Sequence, residues 1–114
     1  MIKVNYIGAY IDVNSEKFQE IWRDDDFYNE VGEDNFIYPY QGLEKTDILI
    51  PNKPGFSKFI DPDEEFVIND FSDLVGFEEK LKEEYAEQIK IVEKYFPDSV
   101  SVKSGLISYW DEIA

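Results

Sequence analysis

The chain has 114 residues, of which 43% are hydrophobic and 17% aromatic, and it carries a formal net charge of −15. This length fits a single domain over residues 1–114, and the aromatic content argues against disorder despite the charge. There is no cysteine and no histidine, which excludes disulfides, thiolate nucleophiles, Cys-ligated zinc and a histidine general base. Any catalysis would have to rest on carboxylates, lysines, tyrosines or an oxygen-bound metal.

The first predicted element is a strand at residues 2–13, IKVNYIGAYIDV. Its apolar positions change from even to odd numbers at Gly8, and such a change of phase predicts a β-bulge. A helix capped by Asn14 or Ser15 should follow, since apolar residues then recur at helical spacing. We expect that helix to run through the acidic residues that come next and to end at Gly32.

The middle of the chain is predicted to contain short strands separated by turn residues. Pro39 places the first of these strands at a sheet edge or in an extended loop. The four candidates are FIYPY (36–40), TDILI (46–50), FSKFI (56–60) and EFVIN (65–69).

The clearest periodicity lies between Phe77 and Phe96, where apolar residues recur every three or four positions. This spacing predicts one long amphipathic helix, which Pro97 stops, and residues 99–110 follow as a strand with a bulge at Gly105. The elements together predict an α+β domain in which two helices pack on one face of an antiparallel sheet. With two central strands the order is β-α-β-β-α-β, the ferredoxin-like arrangement.

The negative charge is concentrated in two segments. Residues 14–35 have a net charge of −6 and residues 61–87 a net charge of −9, whereas the rest of the chain is nearly neutral. Nucleic acid and anionic membranes would repel these segments, so a basic protein surface is the expected partner. No apolar run is long enough to span a membrane and the N-terminus lacks a signal-peptide pattern, so we expect a cytoplasmic protein.

The acidic runs at 24–26 and 61–65 offer oxygen ligands for a divalent cation. Neither has the alternating spacing of a calcium loop, and adjacent carboxylates point in different directions, so solvated acidic turns are the simpler interpretation. A carboxylate pair could serve glycoside hydrolysis, but among 26 acids some pair will meet the distance by chance. We therefore expect no metal, no cofactor and no enzymatic activity.

The functional hypothesis is an inhibitor of a nuclease or another basic, nucleic-acid-processing protein. A one-signed acidic face bordered by tyrosines suits a basic channel, because charge steers association and aromatic side chains hold a complex. Immunity proteins against nuclease toxins and phage anti-defence inhibitors, including anti-CRISPR proteins and DNA mimics, have comparable charge and size, although the chain shares no motif with them. The residues predicted to bind the partner are Asp24, Asp25, Asp26, Tyr28, Glu30, Glu33, Asp34, Tyr38, Tyr40, Asp61, Asp63, Glu64, Glu65, Glu79 and Glu83.

The alternative is a regulatory or structural interaction domain whose acidity serves solubility. In that case the acidic helix face is simply solvated, and the aromatic residues of 36–40 pack against the helices. The two hypotheses differ in salt dependence, because binding through acidic faces weakens steeply as ionic strength rises and binding through an apolar patch does not.

Overall fold

The structure is a computed structural model that describes the backbone at residues 2–42, 44–53, 55–60 and 72–111, with most of the side chains there. The candidate strand EFVIN (65–69) lies outside these residues. The described elements are β1 (Ile2–Val13), α1 (Phe18–Ile21), α2 (Asp25–Val31), a 3₁₀ turn (Glu33–Asn35), β2 (Phe36–Ile37), β3 (Tyr40–Gln41), β4 (Glu44–Lys45), β5 (Ile48–Pro51), β6 (Ser57–Ile60), α3 (Ser72–Glu84), α4 (Ala86–Tyr95) and β7 (Val100–Asp111). None of these helices is long and apolar enough to cross a membrane.

The centre of the sheet is the antiparallel pair of 12-residue strands β1 and β7. Their register runs without interruption from Ile2 opposite Asp111 to Val13 opposite Val100. The predicted bulges at Gly8 and Gly105 are therefore wrong, and the two glycines pair directly with each other. The change of phase seen in the sequence arises because β1 buries apolar side chains on both faces of the sheet.

The strand order is β2-β5-β1-β7-β3-β4, with β6 also paired to β1 and every pair antiparallel. Strands β2 and β3 are four positions apart, about 19 Å in a flat sheet. Only Tyr38 and Pro39 connect them, and the three steps from Ile37 to Tyr40 span at most about 11 Å. The sheet must therefore curl so that its two sides approach each other where Tyr38 crosses.

Ala9, Ile11 and Val13 on the odd-numbered face of β1 are fully buried, and they share the main core with side chains from the helices. Each of the four α-helices contributes at least one buried apolar side chain to this core. A second, smaller cluster forms on the even-numbered face around Tyr6, Ile50 and Tyr109. The α+β class is thus confirmed, with four described helices in place of the two predicted. The helical side chains of the main core are Phe18, Phe27, Val31, Leu81 and Val92, and Phe96 joins them from the C-cap of α4.

The first predicted helix is divided into α1 and α2. Asp24 has an extended backbone (φ −82°, ψ 120°) between them, and its carboxylate accepts the backbone N–H of a residue in the first turn of α2. Gly32 ends α2 with φ +80°, as predicted. The N-cap of α1 is Lys17, which forms no side-chain cap, and not Asn14 or Ser15. The predicted Ser15 instead accepts the N–H of Lys17 with its hydroxyl oxygen, at 3.2 Å, in the turn before the helix.

The long predicted helix is also divided, at Tyr85 (φ −108°, ψ 21°). The hydrogen-bond ladder continues through this residue, since its N–H donates to Leu81 O at 3.0 Å and its carbonyl accepts from Ile89 N at 2.8 Å. The Tyr85 hydroxyl donates to the Asn35 carbonyl at 3.2 Å. A tertiary contact that helical periodicity does not encode therefore accompanies the break.

Candidate partner-binding site

Within the first acidic segment, six carboxylates at positions 24–34 lie at the N-cap of α2, on α2 and on the 3₁₀ turn, and they have different roles. Asp24 caps α2 through a 2.9 Å hydrogen bond from Asp26 N. Glu30 forms an ion pair with Lys94, whose Nζ lies 3.1 Å from either carboxylate oxygen and has its pKa raised by that hydrogen bond and by the charge of Glu30. The remaining four carboxylates are exposed and form no ion pair with any described residue. They belong to Asp25, Asp26, Glu33 and Asp34.

The described part of the second acidic segment, residues 72–87, meets the first where α3 ends. The hydrogen bond from Tyr85 to Asn35 joins the end of α3 to the 3₁₀ turn. Beside this junction Lys53 Nζ lies 3.7 Å from a carboxylate oxygen of Glu84. Glu79 and Glu83 are exposed on α3. The remaining predicted contacts, Asp61, Asp63, Glu64 and Glu65, lie outside the described residues.

The structure segregates charge between its two layers. The helical parts of the chain, residues 14–35 and 72–98, contain sixteen acids and six bases, a net charge of −10. The described strands and their connections sum to +1. Of the three ion pairs found among described side chains, two involve acids of the helical layer. That layer therefore has a large excess of unpaired carboxylates.

Beside the first acidic segment, four aromatic rings surround the ammonium of Lys45. Its Nζ lies 4.3 Å from the centroid of the Trp22 ring, 4.8 Å from that of Tyr38, 5.6 Å from that of Tyr28 and 5.7 Å from that of Tyr40. All four distances are in the range of cation–π attraction. We call these four rings the Lys45 cage.

Each ring of the Lys45 cage comes from a different part of the fold. Trp22 follows α1, Tyr28 lies on α2, Tyr38 is in the crossing between β2 and β3, and Tyr40 is on β3. Tyr40 pairs with Lys45 across the short β3–β4 hairpin, so the pairing holds ring and ammonium side by side.

Gln19 links the hairpin to α1. Its Nε2 donates to the Lys45 carbonyl at 2.5 Å, and its Oε1 accepts from Trp22 Nε1 at 2.9 Å. One amide side chain thereby fixes both the main chain of Lys45 and the orientation of the indole. The Tyr28 hydroxyl accepts a hydrogen bond from Lys45 Nζ at 3.1 Å.

Burial and nearby charge keep Tyr28 and Tyr38 of the cage protonated. Burial raises the pKa of Tyr28 to about 12, with smaller contributions from Glu33 and Tyr40. Burial also raises the pKa of Tyr38 far above its usual value, and Tyr28 and Glu33 add to the effect. The Tyr38 hydroxyl is buried and has no hydrogen-bond partner among the described residues. The cage therefore presents neutral rings beside the carboxylate of Glu33.

Sequence reasoning found part of this site. It predicted Tyr28, Tyr38 and Tyr40 as binding residues, and the structure brings all three together. It did not include Trp22 or Lys45 among the predicted binding residues, so it missed the indole and the cation. The only available signal was the short distance along the chain between Tyr40 and Lys45.

Within the described part of the chain, no three Asp or Glu side chains lie together as a metal site would require. In comparisons with protein-family models, curated proteins and solved structures, none matches this chain.

Proposed function

We propose that the protein is a small acidic binding protein that inhibits a basic, nucleic-acid-processing partner by protein–protein contact. The observation that carries the proposal is the group of four exposed carboxylates, those of Asp25, Asp26, Glu33 and Asp34, without a described ion pair. Immunity to a nuclease toxin and inhibition of a defence nuclease, including DNA mimicry, are the roles that fit such a surface in the cytoplasm.

The energetics support a basic partner. The unpaired carboxylates of the helical layer are all negatively charged, so they repel each other and destabilise the folded chain. The electric field of these carboxylates speeds association with a basic surface, and salt weakens this effect because it screens the charges. Because the sheet is nearly neutral, the field is directed from the helical layer, so we expect the partner to dock there.

Two exposed side chains of the sheet suggest a second candidate function. Leu106 and Trp110 lie on the same face of β7 and are 61% and 38% exposed. A regulatory or structural interaction domain could dock through these apolar side chains, with the acidity serving solubility. Such binding would be nearly indifferent to salt.

The test begins with affinity capture from the native host and continues with the purified partner. A triple variant, Asp25→Asn, Asp26→Asn and Asp34→Asn, removes three carboxylates and leaves the cap at Asp24 in place. A matched control, Glu16→Gln, Glu87→Gln and Glu93→Gln, removes three exposed carboxylates at other positions of the helical layer.

We expect the triple variant to slow association about tenfold at low salt, the control variant to slow it much less, and both differences to shrink at high salt. The partner should be a nucleic-acid-processing enzyme whose activity falls when the protein binds. A partner that associates equally fast with all three proteins, at any salt concentration, would rule out the acidic surface and favour the β7 face.

We also infer that the ferredoxin-like arrangement describes the centre of the fold. Strand β5 lies between β1 and β2, and β1 lies between β5 and β7. Helices follow β1 and precede β7, so each half is a βαβ unit split by an inserted strand. Strands β3, β4 and β6 are additions to this arrangement.

A further inference from the structure

We propose that the Lys45 cage is a binding site for an alkylammonium group, and that a lysine side chain of the basic partner enters it in place of Lys45. The identity of that lysine as the partner's rests on the proposed function. The preference of the cage for an alkylammonium cation does not, because it follows from the rings themselves.

The chemistry of the cage suits a cation. Several aromatic rings around one ammonium are the arrangement by which proteins recognise choline and methylated lysine. Here Lys45 shows that an alkylammonium fits, with its Nζ 4.3 Å from the nearest ring centroid, that of Trp22. Raised pKa values keep Tyr28 and Tyr38 neutral, so the attraction comes from ring faces and from the nearby charge of Glu33.

Lys45 can leave the cage without disturbing the hairpin. Gln19 binds its carbonyl, and Tyr40 pairs with its main chain, so the backbone is held independently of the ammonium. The side chain has several rotatable single bonds through which Nζ can swing out. All five residues, the four rings and Lys45, are partly exposed, so solvent and a partner reach the site.

The position of the cage favours a lysine from a basic protein. Tyr28 lies on α2, which also carries the exposed carboxylates of Asp25 and Asp26. These charges concentrate basic segments at the surface that borders the cage. An entering lysine replaces one ammonium by another, so the rings keep a cation throughout.

The test uses tetramethylammonium chloride as the probe and Trp22 fluorescence as the readout. Trp110→Phe, introduced into every protein used, leaves Trp22 as the only tryptophan. Lys45→Ala empties the cage, and Lys90→Ala removes an exposed lysine on α4 as the matched control. Sodium chloride keeps the ionic strength constant, and tert-butanol supplies a neutral molecule of similar shape.

We expect saturable binding of tetramethylammonium to Lys45→Ala. Binding should be at least about tenfold weaker in the two proteins that keep Lys45, which are the parent and Lys90→Ala. In these proteins the Lys45 ammonium occupies the cage most of the time and competes with the probe. Tert-butanol should cause no saturable change. The proposal is wrong if Lys45→Ala gives no saturable signal, responds equally to tert-butanol, or binds no better than the parent.

A second measurement applies even where Lys45→Ala does not fold. In the unmodified protein, ring currents should shift the NMR signals of the Lys45 CH₂ε protons upfield, and high concentrations of tetramethylammonium should return them to the positions of exposed lysines. Signals that stay in place would overturn the proposal. Because the probe is a small cation, the cage can pass or fail this test independently of the acidic surface.

Discussion

Tyr28 and Tyr38 both belong to the Lys45 cage, but their hydroxyl groups have different hydrogen-bonding environments. The Tyr28 hydroxyl accepts a hydrogen bond from Lys45, whereas the Tyr38 hydroxyl is buried without a partner among the described residues. A hydrogen bond contributes about 0.5–1.5 kcal/mol, and an unpaired buried polar group costs about 1–3 kcal/mol. We expect Tyr28→Phe to lower the free energy of unfolding by about 1 kcal/mol and Tyr38→Phe to raise it by about as much, measured by urea denaturation. Equal losses in both variants would contradict this assignment.

The same two tyrosines contribute to the response of stability to alkaline pH. Burial raises both pKa values, that of Tyr28 to about 12. A group whose pKa is raised by folding stabilises the folded state fully below its unfolded pKa, about 10 for tyrosine, and this stabilisation is lost as pH rises through the folded value. We therefore expect the free energy of unfolding to fall between pH 10 and 12. Urea denaturation at fixed pH, with tyrosinate absorbance in parallel, should show a smaller fall in the Tyr28→Phe, Tyr38→Phe double variant.

At the scale of the elements, the sequence predicts the strands whose positions follow from the local pattern of apolar residues. It places β1 at residues 2–13 as observed and the last strand within one residue of β7. It errs at Gly8, because burial on both faces of β1 resembles a change of phase. It also misses the break at Tyr85, where the hydroxyl binds Asn35, 50 positions away. Both errors come from tertiary contacts that a single segment does not encode.

The division between α1 and α2 gives a prediction about Asp24. Its carboxylate accepts the N–H of Asp26 at the start of α2, and replacing such a cap by alanine costs about 1 kcal/mol. Urea denaturation should show that loss in Asp24→Ala, whereas Asp24→Ser should retain most of the stability. Among the described residues the N-cap of α2 is Asp24 and not the neighbouring Asp25, so Asp25→Ala is the control and should change stability by less. A control that loses as much as Asp24→Ala would mean that helix charge, and not the cap, is responsible.

At the scale of the whole molecule, the distribution of charge could be predicted but the cage could not. Net charge along the sequence already separates residues 14–35 from their neighbours, and those residues form one side of the helical layer. The cage depends on the curl of the sheet, which brings the crossing at Tyr38 beside α1 and α2. The hairpin alone places Lys45 beside Tyr40, whereas its contacts with Trp22, Tyr28 and Tyr38 join distant parts of the fold. The four aromatic residues can be read from the sequence, but the curl of the sheet that brings them together cannot.

The charge of the helical layer also predicts how salt affects stability. The sixteen acids of this layer are balanced by only six bases. The acids therefore repel one another, and more strongly in the folded state than in the extended chain. Salt screens this repulsion over a Debye length that falls from about 30 Å at 0.01 M to about 10 Å at 0.1 M. We therefore expect the free energy of unfolding to rise by about 1–2 kcal/mol over this range of sodium chloride, most steeply at its low end.

The Asp25→Asn, Asp26→Asn, Asp34→Asn variant should be more stable than the parent in low salt and should respond less to added salt, because three of the repelling charges are gone. Glu30→Gln supplies the contrast, since it removes a carboxylate that is paired with Lys94 and should not stabilise the chain. Urea denaturation across the salt series measures all three proteins. A parent whose stability does not change with salt would mean that repulsion within the layer is negligible. The acidic surface would then impose no cost on folding that a basic partner could relieve.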